Sequence, residues 1–546
     1  MSDSSPEISD ELLAQLKEDL VCRRVGRGMA RLEDSRHLLT SFHPEAKNAA
    51  PFAGYLAQWV DIGFQRPGLV KDIVSRFSQQ TRSRLPLHDY LHLRMAEGMV
   101  AMAEEEKDKA IGHLDFVLGL ETETDDKELL SVANFWKGRC LRMKGEYDEA
   151  LAFAVRGRDL ALDLGHVPMA AVMRVLESWL FFQKGDAKQA VEILQEAESV
   201  LRRTDDYLTL GNILSSYGRI ARRQGRYQHA IDSFTMAIAQ YRKRDPRHRN
   251  VARTLNNMAY VKRLIALQLR RKIDTDAARR RRAAARGRAG NGQGKLQYRR
   301  RFEQLRQEAL AELAEAATIY EQYENHHGLG SVHLNYGYLH LDNGDLDRAE
   351  ASAKIAFRLG EERLDHILMA RSRLLQCMVE NARTEEGIGE GAEPGSRARL
   401  AQDFAQEALE LAKHTQNRRL VAYSYIWQGL TYCNRFFGDP DAARHCYDQA
   451  LTLSRGDHAD SAWDDLQTLR TKVLRGGTVN PTLRAWSQGS VGDKTFQQIT
   501  EEFAALIIPK VWEQEGRKVS RVATRLSMSP KKVRRILSRA GRRKPD

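Results

Sequence analysis

Cysteine is scarce, with Cys22, Cys140, Cys377, Cys433 and Cys446 the five present in 546 residues. Their odd number and lack of paired spacing exclude a disulfide framework and a close-set zinc ligand group, and fit a reduced cytoplasm. Proline is sparse as well, at thirteen, and β signals are absent, so a long helical pattern runs on without breakers. No stretch approaches eighteen apolar residues, which excludes a membrane-spanning helix. The start of the chain is acidic and reads as one short helix from Glu11 to Cys22, without the basic-then-apolar order of a signal peptide. Catalytic motifs are missing too. Gly290 to Lys295 is glycine-rich, but a phosphate-cradling loop would need glycine at Ala289 and a hydroxyl at Leu296. His326, His327, His333 and His340 have no further ligand beside them, so no metal site is expected. We therefore expect no enzyme and no cofactor, and control by binding alone.

What is present is a repeat. Gly98, Gly138, Ser178 and Gly218 return every forty residues, each followed twelve residues later by Ala110, Ala150, Ala190 and Ala230. Bulky residues surround the small ones, as in Leu214, Tyr217, Gly218, Gly225, Tyr227, Ala230, Phe234 and Ala237. Small residues let two helices approach closely. The pattern resembles the tetratricopeptide repeat of two antiparallel helices, lengthened from about 34 residues, and is similar to the tetratricopeptide-like sensor domains of some bacterial regulators. Further units stand at Gly337 with Gly344, Ala349 and Ala356, and at Gly429 with Ala443, Tyr447 and Ala450.

The last residues have a different pattern. From Val519, apolar residues fall at Val522, Leu526, Met528, Val533 and Ile536, where two short helices crossing at a tight turn must meet. Ala523 is the small contact between them. Ser529 and Pro530 open the second helix as N-cap and first-turn proline. Val533, Ile536, Leu537 and Ala540 share one face of that helix, so Lys531, Arg535 and Ser538 point away from it. Gly516 to Ala523 and Ile536 to Gly541 resemble the Fis-type helix-turn-helix of bacterial regulators, over about the last fifty residues. The resemblance implies DNA as partner, a preceding helix, here Lys494 to Gln514, and commonly a homodimer reading two half-sites. Ser527 stands where the family usually has glycine, and Pro509 interrupts the preceding helix. Lys531 and Arg535 are expected to read bases. Lys518, Arg521, Arg525, Ser529, Lys532, Arg534 and Arg539 are expected to complete the DNA contact, with Arg521, Lys532 and Arg539 on phosphates.

Charge is unevenly placed. Gly516 to Asp546 holds twelve Lys or Arg and one acid, and Arg270 to Arg301 holds thirteen against Asp274 and Asp276, so each segment carries +11 of a total of +13. The remainder is near −9, so DNA contact should be confined to the tail and the insertion. Such an insertion cannot bury a core and reads as a flexible basic loop flanked by helix extensions. It is open whether it adds phosphate contacts or is solvated without a role. Glu385 to Ser396 is acidic and glycine-rich and reads as a plain loop.

The expected fold is all-α, a tetratricopeptide-like α-solenoid followed by a small C-terminal helix-turn-helix domain. Residues 1–48 form an N-terminal helical segment. The solenoid occupies 49–474, with the basic insertion at 270–301 and the acidic loop at 385–396. Residues 475–493 are a linker and 494–546 the DNA-binding domain. The first helix of each unit lines a groove, where Arg219, Arg222, Asn256, Asn257, Asn335 and Tyr338 are the expected contacts to a protein or peptide partner, since an asparagine amide both donates to and accepts from an extended main chain. These residues could equally be solvated or cap neighbouring loops. The function that follows is a cytoplasmic DNA-binding transcriptional regulator that senses a protein or peptide; the alternative is a repeat adaptor whose tail holds nucleic acid without sequence preference.

Overall fold

The computed structural model describes residues 8–284, 293–387, 395–454, 461–476 and 493–541, and every regular element among them is a helix. Six short helices open the chain: α1 (Asp10–Val21), α2 (Val25–Asp34), α3 (Arg36–Thr40), α4 (Ala49–Asp61), α5 (Pro67–Ser75) and α6 (Gln79–Arg84). Ser9 caps α1 by accepting from the Leu12 amide at 3.2 Å. Leu16 and Leu20 of α1 and Met29 and Leu32 of α2 are buried in the same apolar cluster as Phe52, Leu56 and Trp59 of α4. The first 48 residues thus share their core with the repeats.

Antiparallel pairs follow: α7 (Leu87–Ala103) with α8 (Lys107–Leu118), α9 (Lys127–Lys144) with α10 (Tyr147–Asp163), α11 (Val167–Lys184) with α12 (Ala187–Leu201), and α13 (Tyr207–Arg223) with α14 (Tyr227–Arg244). Next come α15 (Arg249–Ala284) with α16 (Gln293–Gln322), α17 (His326–Asp342) with α18 (Leu346–Glu361), α19 (His366–Glu386) with α20 (Ser396–Lys413), α21 (Arg418–Tyr432) with α22 (Pro440–Leu453), and then α23 (Ser461–Gly476). Aspartates at the N-caps of α9, α12, α13, α18 and α19 take an amide of the first turn on their side chains. The small residues mark where the partners of a pair touch. A Cβ on Gly138 would stand 3.0 Å from the Ala150 carbonyl oxygen, one on Gly218 would meet the Phe234 ring at 2.5 Å, and the Ser178 hydroxyl donates to the Ala190 carbonyl at 2.8 Å.

The helix extensions expected to flank the basic insertion take up most of it. Helix α15 runs to Ala284 and α16 begins at Gln293, because alanine and arginine are both good helix formers and the segment continues two helices already paired. Residues 285–292 lie outside the described residues, as do 388–394 of the acidic loop and 477–492 of the linker.

The solenoid coils far enough to meet itself. Arg66 donates to the Gln322 carbonyl at 2.8 Å, the Asn325 side chain and the His326 amide donate to Glu105 at 2.8 and 2.9 Å, and the Gln416 amide donates to the Gly145 carbonyl at 2.9 Å. This seam joins α16–α21 to α5–α10 and encloses a hollow. From the N-terminal side, Arg23 pairs with Asp206 at 2.6 Å and Asp205 accepts from the Val25 and Gly26 amides at 2.7 and 2.6 Å.

Three helices end the described chain: α24 (Phe496–Gln514), α25 (Val519–Arg525) and α26 (Pro530–Gly541). Thr495 and Gln498 form a reciprocal capping box at the start of α24. The interruption expected at Pro509 does not occur, and α24 continues through it. Ile508, Val522, Ala523, Val533 and Ile536 make a small core, and Ser527 takes a left-handed φ of 50° at the turn before α26, where glycine would be unstrained.

Candidate functional site: the hollow of the coil and the basic C-terminal helices

Inside the coil is a cavity of about 470 Å³, within the range of sites for small molecules and short peptides. Odd-numbered helices from α7 to α19 supply most of its wall. Residues at helical spacing face it: Trp136, Arg139 and Met143 on α9, Thr209, Asn212, Ser216 and Arg219 on α13, and Arg249, Asn250 and Arg253 on α15. Eight arginines and lysines line it against three carboxylates. A chain whose solenoid is acidic in sum therefore turns cations inward.

The carboxylates are already engaged. Asp61 pairs with Arg139, and accepts from Arg249 at 3.5 Å and the Trp136 indole at 3.2 Å. Burial opposes its charge, yet Arg139 and Arg249 hold the Asp61 carboxyl below its usual range. Glu105 receives the start of α17, and Asp365 pairs with His327 at 2.5 Å. Asn212 is a hub: its Oδ1 accepts from Arg253 at 2.6 Å, Asn250 at 3.2 Å and the Tyr241 hydroxyl at 3.0 Å. Burial, with Arg249 and Arg253 nearby, pushes His248 down to about 3, so it is neutral. Arg142 lies with its guanidinium 5.1 Å from the Trp179 ring centre; burial first, then Arg139 and Arg253, pull it down to about 9.

The pair His327 and Asp365 predicts a pH dependence of the seam. Partial desolvation disfavours the charged imidazole, whose side chain is 53% exposed, but Asp365 outweighs it and raises His327 above 6.5, while His327 and Lys107 hold Asp365 below its ordinary 3.8 against burial. The histidine's contribution to stability is present below pH 6.5 and lost as pH rises through its raised value. The aspartate's is present above about pH 4 and lost as pH falls. The unfolding midpoint is therefore expected to be highest between these limits, and His327→Gln to flatten the alkaline limb of a midpoint-versus-pH curve; an unchanged alkaline limb contradicts the assignment.

Of the residues expected to hold a partner, Arg219 lines the cavity. Arg222 and Asn257 stand one turn further along the same helices, with Arg222 donating to the Asn257 side-chain Oδ1 at 3.4 Å and the Asn257 side-chain amide donating to the Arg253 main-chain carbonyl at 2.9 Å. Asn335 donates to the main-chain and side-chain oxygens of Asn256 at 3.1 and 2.7 Å, tying α17 to α15. Tyr338 is buried, with Arg263 4.6 Å from its ring centre. Sequence reasoning missed Arg139, Arg142 and Arg253. The signal for Arg139 was the repeat itself, since it stands two periods before Arg219.

In the C-terminal helices, Lys518, Arg521, Lys531, Lys532, Arg534 and Arg535 are exposed, while Val533 and Ile536 are buried. Arg525 pairs with Glu515 at 2.6 Å, and the Ser529 hydroxyl accepts from the Lys532 amide at 3.3 Å. The side chain of Arg539 lies outside the described residues. The histidines noted in the sequence are separately occupied: His326 lies 3.2 Å from Glu362 and His340 3.9 Å from Asp345. Among the described residues the grouping of three potential metal ligands is elsewhere, at His88, His92 and Asp126, whose ligand atoms lie within 4.8 Å of one another. Asp126 is already the N-cap of α9, accepting from the Leu129 amide at 3.0 Å.

A tetratricopeptide-repeat family model matches residues 178–243. Among solved structures, a Rap protein complexed with competence and sporulation factor aligns with 74% of this chain and 98% of its own at 13% identity and a TM-score of 0.50. An IFIT1 monomeric mutant with Gppp-AAAA covers 86% of this chain and 95% of its own at 11% identity and a TM-score of 0.44. The apo quorum sensor NprR from B. thuringiensis covers 84% and 98% at 13% identity and a TM-score of 0.35. No curated protein matches the chain. The family match and the Rap alignment show an all-helical tetratricopeptide-like repeat fold.

Proposed function

We propose that this chain is a DNA-binding transcriptional regulator whose coiled repeats receive a peptide or a segment of a protein, and whose helices α24–α26 are a helix-turn-helix unit. The observation that carries the reading is the open-mouthed cavity of about 470 Å³, whose wall mixes aromatic faces with asparagine amides suited to an extended main chain. The Rap structure, of like fold, holds competence and sporulation factor. On the DNA side, α26 buries Val533 and Ile536 and exposes Lys531, Lys532, Arg534 and Arg535, the division a recognition helix needs. A homodimer on two half-sites and a cytoplasmic location go with this reading, and no catalytic step is assigned. Among the described residues no helix is long and apolar enough to cross a membrane.

Selection of bound duplexes from a random pool by the full chain tests the DNA half. One enriched motif is expected. Lys531→Ala or Arg535→Ala should relax preference at one position and cost ~1–3 kcal/mol, whereas Lys532→Ala or Arg521→Ala should weaken all sequences and flatten the salt slope by about one unit. Equal binding to every sequence would replace the regulator by the adaptor, in which the tail only localises the solenoid.

A further inference from the structure

Half of the cations on the cavity wall have an answering anion, and three of the others lie together. Arg23 pairs with Asp206, Arg139 and Arg249 share Asp61, and Lys107 faces Asp365. Arg142 rests on Trp179. Arg219 donates to the Ser216 hydroxyl at 2.8 Å and Arg253 to the Asn212 carbonyl, both neutral acceptors. The Nε atoms of Arg219 and Arg253 are buried without a hydrogen-bond partner. Arg253 and Arg219 meet on α13, where the Asn212 side chain that accepts from Arg253 stands one turn before the Ser216 that accepts from Arg219, and Arg142 lines the same cavity; Arg253, Arg142 and Arg222 depress Arg219, after burial itself. Holding like charges together away from bulk water is costly unless an anion completes the group, and a guanidinium fork fits a carboxylate or phosphate in two hydrogen bonds.

We infer that Arg142, Arg219 and Arg253 form an anion subsite that takes a carboxylate of the bound peptide, either an acidic side chain or the C-terminal carboxylate. The inference rests on the peptide-receiving reading of the cavity. Two features favour a single carboxylate over a nucleic acid. Asp61 and Asp365 on the same wall answer Arg139, Arg249 and Lys107, so the positive charge left for a ligand is concentrated at the cluster, which suits one anionic group better than a polyanion. Beside the cluster stand the amides of Asn212 and Asn250 and the faces of Trp136 and Trp179, partners for a main chain and for apolar side chains, where a nucleic-acid strand would need a continuing row of cations.

The test is anisotropy titration of the full chain with four labelled probes: hexaglutamate and hexaglutamine, each with a free or an amidated C-terminus. At least one carboxylate-bearing probe is expected to bind roughly tenfold tighter than amidated hexaglutamine. Free-acid hexaglutamine reports the terminal carboxylate, and amidated hexaglutamate the side chains. The difference should vanish in Arg219→Met and in the double variant Arg219→Met/Arg253→Met, and persist in Lys531→Ala/Arg535→Ala, which separates the cavity from the basic tail. If the double variant fails to fold, Arg219→Met carries the test, since among the described residues that guanidinium donates to Ser216 alone. Without ligand, Arg219→Met should leave the thermal midpoint unchanged or raise it. Equal binding of neutral and acidic peptides, insensitive to Arg219→Met, overturns the anion subsite and leaves the peptide reading standing. Displacement of a bound oligoribonucleotide or tripolyphosphate by cluster substitution, with no peptide bound by any arm, overturns both.

Discussion

Replacing Trp59 with alanine is expected to lower the unfolding free energy by about 3–5 kcal/mol, the usual cost of emptying a large aromatic from a packed core. Trp59 is fully buried on α4, and its ring lies where a side chain on Gly28 of α2 would be: a Cβ there would overlap Cη2 of the indole. The indole thus holds the N-terminal helices to the first repeats, and the cavity left behind would loosen both. Its Nε1 has no hydrogen-bond partner, so Trp59→Phe, which removes an unsatisfied donor as well as volume, should cost much less. Gly28→Val should cost about 1–3 kcal/mol by overpacking, and less when combined with Trp59→Phe, because the two sites share one volume. Chemical denaturation of the four variants measures all of this; strict additivity would show that the two residues do not press on each other.

The second large effect is expected at the seam. Glu105→Ala should destabilise the protein by about 3 kcal/mol, since bonds to a charged acceptor are among the stronger ones and three of them are lost together. Glu105 is 7% exposed, and its carboxylate receives the Asn325 side chain and the amides of His326 and His327, at 2.8, 2.9 and 3.2 Å. These are the orphan donors at the start of α17, where a negative charge is also favoured by the helix dipole. Glu105 reaches this position with a left-handed φ of 62°. Glu105→Gly should therefore be less damaging than Glu105→Ala, as it loses the same bonds but relieves the backbone. Limited proteolysis near residues 322–327 should rise in both. A variant as stable and as resistant as the wild type would show that the seam is not held here.

The repeat pairs could be read from the sequence because their contacts are local and periodic. A glycine at 138 or 218 lets two helices that fold back on each other approach closely: at Gly138 the approach to Ala150 is direct, and at Gly218 the Phe234 ring takes the space. At the insertion the flanking helix extensions were legible but not their length, because its arginines and alanines carry α15 to Ala284 and α16 back to Gln293. Pro509 misled outright, a breaker in general but carried within α24. The cavity was hidden for a different reason. Net charge sums over both surfaces of a helix, so the inward turn of Arg139, Arg142 and Arg253 leaves no trace in the total, and of the arginines lining the cavity only Arg219 was read as facing a groove. Nor does any spacing announce Asn335 as the ligand of Asn256, because which turn of an inner helix meets its neighbour and which opens on the hollow depends on superhelical pitch. The seam has no periodic signature at all: Glu105 and His326 are 221 residues apart.

That separation changes how the chain can reach its native state. An open solenoid behaves as a one-dimensional array, in which each unit needs only its neighbours and folding can begin anywhere. Here the ends of one coil also touch, so the array becomes a ring. Joining residues about 220 apart costs roughly 1.5 kcal/mol more in chain entropy than joining residues one repeat apart. That difference is small beside the hydrogen bonds made across the seam, but ring closure can be rewarded only after the intervening units have taken their pitch. Pairings of such long range raise the contact order above that of an ordinary helical array, and folding should slow accordingly. The last event would be the meeting of Glu105 with the start of α17, and until it happens the hollow has no wall on that side.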